Sequence, residues 1–134
     1  MGKYGYVATL AAGTVAKGAA IAPRDAWNAA AARVFPDSPS SQAKGCPRDT
    51  FLALCDLGAI HGVLPGQYTR SVKNRSYAVR ALAALRANEA LCDDPSRLWR
   101  MVTRGETKVA NHQMDVVTTL WREGLIRQAP RSTR

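Results

Sequence analysis

No stretch of this sequence is apolar for long enough to cross a bilayer; none approaches the roughly 18–20 residues that a helical span needs. The start, Met1-Gly2-Lys3-Tyr4, lacks the charged-then-apolar layout of a secretion signal. Cysteine is scarce and odd in number, and Cys46, Cys55 and Cys92 fit no disulfide framework. No Cys-x2-Cys or His-x3-His spacing offers a zinc site. A reduced, cytoplasmic protein with no membrane partner, metal or cofactor is therefore expected. Alternating apolar and polar runs of the kind that form half-buried strands are missing as well. Acids are in short supply, ten against nineteen Lys and Arg, for a net charge of +9.

What is present is helix-forming. The 134 residues, 46% of them hydrophobic, suffice for one core. The sequence predicts an all-α, single-domain protein over residues 1–127, about six helices in an orthogonal bundle, with a disordered basic tail at 128–134. Tyr4, Val7, Ala8, Ala11 and Val15 mark one buried stripe on a helix from Lys3 to about Lys17, stopped by Gly18. Further helices are predicted at Pro23–Val34, Pro47–Leu57, Ser76–Leu91, Pro95–Arg104 and Thr107–Glu123. Three of these share a start: Pro23, Pro47 and Pro95 each precede an aromatic residue, Trp27, Phe51 or Trp99, by four. Proline suits the first helical position because its missing N–H would be unpaired there. The aromatic ring one turn later anchors that start to the core.

Two internal echoes stand out. Pro-Arg-Asp occurs at 23–25 and again at 47–49. Asp49 and Asp115 each stand nine residues before a glycine, Gly58 or Gly124. Apolar pairs Ala59-Ile60 and Leu125-Ile126 follow, and Phe51 and Leu54 match Val117 and Leu120. A pseudo-symmetric pair of short helices ending in the same glycine stop is one reading of this echo, and a chance likeness is the competing one.

The blocks Ser40-Ser41-Gln42, Lys44-Gly45-Cys46-Pro47-Arg48 and Gln113-Met114-Asp115-Val116-Val117, with Leu120-Trp121, resemble a family of small uncharacterised bacterial proteins. The resemblance runs from Gly2 to Ile126. It implies a single cytosolic domain and carries no activity.

Three candidate sites emerge. The first is the start of the third helix, where free N–H groups and a partial positive charge attract anions; Ser41, Lys44 and Arg48 would add hydroxyl, ammonium and guanidinium. It lacks the Lys-Ser/Thr ending of a phosphate-binding P-loop, and a plain glycine-turned connector is the competing reading. The second is Gln67–Tyr77, where Arg70, Lys73 and Arg75 occur without an acid, flanked by Tyr68 and Tyr77. Basic side chains bind phosphates through counterion release and tyrosine stacks on unpaired bases. A solvated connector with its tyrosines on the core is the alternative. The third is a polar stripe on the last helix, Lys108, Asn111, Asp115, Thr118 and Arg122, with His112 and Asp115 able to exchange protons. Such stripes are more often a solvated face.

The sequence thus favours a non-enzymatic binding module for nucleic acid or another polyanion. An enzyme acting on a phosphate-bearing substrate at Lys44–Arg48, or a protein-interaction module, stands as the alternative. Convergence of Lys44, Arg48 and Asp115 in one pocket would favour the enzyme.

Overall fold

Proline, serine and glycine set most helix limits in the computed structural model, which describes residues 2–16, 21–106 and 108–127. Helix α1 spans Lys3–Ala16, α2 Pro23–Val34, α3 Pro39–Gln42, α4 Gly45–Asp56, α5 Val72–Ala87, α6 Pro95–Val102 and α7 Gln113–Arg122. A 3₁₀ segment, Glu89–Asp93, links α5 to α6. Six of the helices have eight residues or more, α3 is a single turn, and no strand occurs among the described residues. The protein is an all-α single domain around one hydrophobic core.

The proline–aromatic pairs anchor that core as expected. Trp27 and Phe51 are fully buried and lie 5.4 Å apart, joining α2 to α4, while Trp99 meets Tyr77 of α5 edge-on at 5.0 Å. Burying a ring of this kind contributes about 1.5–3 kcal/mol. Small residues in α1 allow the close approach that their size suggests. Its neighbour is α7: a Cβ on Gly5 would sit 2.1 Å from Thr119 Oγ1, so only glycine fits.

Four helices differ from the sequence expectation in their limits, each for a local reason. Helix α4 begins at Gly45 rather than Pro47, which makes Pro47 its third residue; the first four N–H groups of a helix are unpaired anyway, so proline is tolerated there too. Helix α5 begins at Val72, because Ser71 rather than Ser76 is the cap: its Oγ accepts from the Asn74 N–H at 3.3 Å. The helix ends at Ala87, and Asn88 caps the 3₁₀ segment that follows. Helix α6 stops at Val102, since Arg104 and Gly105 both adopt positive φ. Helix α7 begins at Gln113, not Thr107, because His112 takes a left-handed φ of 67°. The polar stripe is therefore not one helix face: Lys108 and Asn111 precede the helix, and Thr118 is buried. Lys17, Gly18 and the tail at 128–134 lie outside the described residues.

The second echo proves structural. Gly58 and Gly124 have φ of 64° and 74° and end α4 and α7 with the same pair of bonds. Gly58 N–H donates to Cys55 O at 3.0 Å and Ala59 N–H to Leu54 O at 3.0 Å; Gly124 and Leu125 repeat this with Trp121 and Leu120 at 3.1 and 3.0 Å. The two exits then pair antiparallel at Ile60 and Ile126, with His61 N–H donating to Leu125 O at 2.9 Å and Arg127 N–H to Ala59 O at 2.8 Å. Both isoleucines are buried.

Candidate anion-binding groove

The Pro-Arg-Asp repeat brings its two copies together. Behind Arg24 and Arg48 the Trp27–Phe51 contact holds the starts of α2 and α4 side by side. Both guanidinium groups face one carboxylate: Arg48 Nε lies 3.5 Å from Asp49 Oδ1 and Arg24 Nη2 4.0 Å from the same oxygen. The pairing is loose. Arg48 Nε is buried and makes no hydrogen bond.

The opposite wall is the segment leading into α5, and Asp56 builds it. Asp56 is the last residue of α4 and its side chain is fully buried. One carboxylate oxygen accepts from the Tyr68 N–H, the other from Arg75 Nη1 at 2.9 Å, and the Asp56 carbonyl accepts from the Gly66 N–H at 3.2 Å. The Tyr68 hydroxyl donates to Leu64 O at 2.9 Å, while its ring lies so close to Gly66 that a Cβ there would sit 2.9 Å from it. Arg24 Nη2 reaches Tyr68 O at 3.5 Å and ties the two walls.

Between them lies an open groove of about 650 Å³, lined by Arg24, Arg48, Arg70 and Arg75, with Ser71 and Thr69 adding hydroxyls and Asp49 the one acid of its lining. Arg70 is exposed and makes no ion pair among the described residues. Arg48 is the fourth residue of α4, whose cap position, Lys44, gives no side-chain hydrogen bond, so the helix start carries no cap.

The groove thus joins Arg48 of the first sequence candidate to Tyr68, Arg70 and Arg75 of the second. It leaves out others. Ser41 is engaged in the α3 turn, its Oγ accepting from Ser38 Oγ at 2.7 Å and its carbonyl from the Tyr4 hydroxyl at 2.9 Å. Lys44 is exposed at the α4 cap. Lys73 projects into a different cavity, with Lys108 and Asn111. Tyr77 is buried against Trp99, so it is not a stacking platform beside the connector. The third candidate separates as well. His112 Nδ1 and Asp115 Oδ2 are 3.2 Å apart in a cavity with Ser96 and Arg100, and Tyr4 packs on the His112 ring at 4.8 Å. Arg122 instead donates to Cys92 O at 2.9 Å and lies 3.5 Å from Asp93. Arg48 lines the groove and Asp115 a different cavity, and Lys44 lines neither.

Two residues escaped the sequence reading. Arg24 was visible only as part of the tripeptide repeat. Asp56 gave no periodic signal, since its partners stand 12 and 19 residues later. All three cysteines are free, and among the described residues no group of three or more His, Cys, Asp or Glu side chains is placed to hold a metal. No helix among the described residues is long and apolar enough to cross a membrane.

No curated protein and no solved structure matches the chain. The chain belongs to a family of unknown function (DUF6979), whose model matches residues 1–127.

Proposed function

From that family membership, which brings no activity with it, we propose that the protein is a non-enzymatic binding module whose groove takes the backbone phosphates of a nucleic acid. The observation that carries this reading is the convergence of Arg24, Arg48, Arg70 and Arg75 on one groove with Asp49 as the acid of its lining. Guanidinium groups present planar paired donors that match phosphate oxygens. Tyr68 is engaged by Leu64 and Gly66, so recognition runs through phosphates rather than through base stacking. The enzyme alternative called for Lys44, Arg48 and Asp115 in one pocket, and the placement of Asp115 in a different cavity from Arg48 counts against it.

The test is salt dependence with a short duplex oligonucleotide. The logarithm of affinity falls linearly with the logarithm of salt, by about 0.9 for each duplex phosphate contact. Arg24→Ala with Arg70→Ala is expected to lower the slope magnitude by almost two, on the order of 0.9 per lost contact, at unchanged helix content. Arg131→Ala with Arg134→Ala removes the same charge from the tail. Equal losses from both double variants would mean diffuse attraction to a basic protein and would sink the groove assignment. Absence of binding near 50 mM salt, roughly the low end of the range where such contacts are strong, would remove the nucleic-acid reading altogether.

A further inference from the structure

A second cavity, of about 240 Å³, opens where the start of α4 meets α5 and the segment before α7. Cys46, Lys73, Asn74, Tyr77, Lys108 and Gln113 are among its lining residues, and the lining includes no carboxylate. It is smaller than the roughly 300–1,000 Å³ of sites for drug-sized ligands, and it suits a group about the size of one amino acid.

Every polar side chain there can donate. Lys73 and Lys108 are exposed and form no ion pair among the described residues. Tyr77 is only 8% exposed, its ring held by Trp99, and its hydroxyl has no hydrogen-bond partner among the described residues. Gln113, 3% exposed, accepts from the Asn111 N–H at 2.6 Å and reaches Asn74 Oδ1 only at 3.5 Å with its amide. Each of these two carboxamides thus retains donor capacity. The Tyr77 ring is buried while its hydroxyl is not sealed off, so it can donate to an acceptor in the cavity.

Cys46 shares this cavity and differs from the other two thiols. Cys55 and Cys92 are buried; burial pushes both thiols up, and Cys92 Sγ is engaged by Thr118 O at 3.3 Å. Cys46 is partly exposed and is the second residue of the uncapped α4.

We propose that Cys46 is a modification site for small carboxylate-bearing disulfides, whose carboxylate is held by Lys73, Lys108 and the Tyr77 hydroxyl. The Cys46 thiol releases its proton to solvent, and the thiolate attacks one sulfur of the disulfide. The old S–S bond breaks, a mixed disulfide forms on Cys46, and the other half leaves as a thiolate that takes a proton from water. The small disulfide is the oxidant, and one of its sulfurs ends reduced. This site is independent of the arginine groove.

The experiment treats the reduced, full-length protein with oxidised glutathione or with the cationic disulfide cystamine, and locates the adducts by peptide mass mapping. The ratio of the two rates is measured for folded protein and for protein unfolded in urea. Folded protein is expected to add one glutathionyl group, at Cys46, and to favour the anionic reagent about tenfold more than unfolded protein does. Lys73→Gln with Lys108→Gln should bring the ratio close to the unfolded value. Tyr77→Phe should slow glutathione disulfide and leave cystamine unchanged. Lys3→Gln with Arg33→Gln removes equal charge elsewhere and should have little effect. Equal ratios in folded and unfolded protein would overturn the proposal. So would adducts on Cys55 or Cys92 at comparable rates, or an equal response to the two charge-removing pairs.

Discussion

At the last residue of α4 stands Asp56, and at the equivalent place in α7 stands Arg122. The backbone around them is the same, from the glycine turn through the paired isoleucines. Their electrostatics are opposite. A helix C-terminus is the negative end of the peptide dipole, so a cation there is favoured and an anion is not. Arg122 agrees with its helix, remains 40% exposed, and needs no more than a carbonyl and a long contact to Asp93. Asp56 opposes its helix and is fully buried. It persists because Arg75 and the Tyr68 N–H satisfy it, and in recruiting them it folds the segment that forms one wall of the arginine groove. The limb that conflicts with its helix is the one that carries the candidate site.

The comparison breaks first if the two limbs are not equally part of the core. Leu54 and Leu120 are both fully buried and occupy equivalent positions. Each Leu→Ala change should cost about 3 kcal/mol by denaturant unfolding. A cost under about 1 kcal/mol for either would show that limb to be peripheral.

A second test separates the chemistries. Asp56→Ala leaves a backbone donor and a guanidinium unpaired, and should cost about 2 kcal/mol, moderated because Arg75 is partly exposed and regains water. Arg122→Ala should cost under about 1 kcal/mol. Equal losses in unfolding experiments would mean that the opposition of charge to dipole has no energetic content here. A third test concerns the turns: Gly58→Ala and Gly124→Ala should each cost about 1–2 kcal/mol for holding a side chain at positive φ. At Gly124 an added Cβ meets nothing within 4 Å, so its cost is conformational alone; a variant as stable as the parent would refute the shared-turn reading.

Much of this was legible in the sequence because its causes are local. A proline followed four residues later by Trp27, Phe51 or Trp99 marks a helix start and a core anchor together. The 66-residue offset between the glycine-ended segments reports a turn that only glycine makes easily. What was not legible depends on partners far along the chain. The left-handed His112 that delays α7 is held between the Tyr4 ring and Asp115. The start of α5 turned on which of two serines, Ser71 or Ser76, became the cap. The groove drew on Arg48, Arg70 and Arg75 from the sequence reading, but Lys73 points elsewhere because residues 72–75 are helix, where near neighbours diverge around the axis. Asp56 and Arg24 declare themselves only once α2, α4 and the 66–71 segment are in contact.

Asp49 gives the groove a resident anion. Two guanidinium groups already attend it, at 3.5 and 4.0 Å, without a well-formed hydrogen bond from Arg48 Nε. Any incoming ligand therefore enters by exchange, and its affinity reflects the difference between what it offers Arg24 and Arg48 and what this carboxylate offers. A lone carboxylate in solution gains little by that trade, whereas a run of phosphates gains at each arginine. On the phosphate-binding function proposed above, Asp49 would work as a threshold, selecting for charge density over charge.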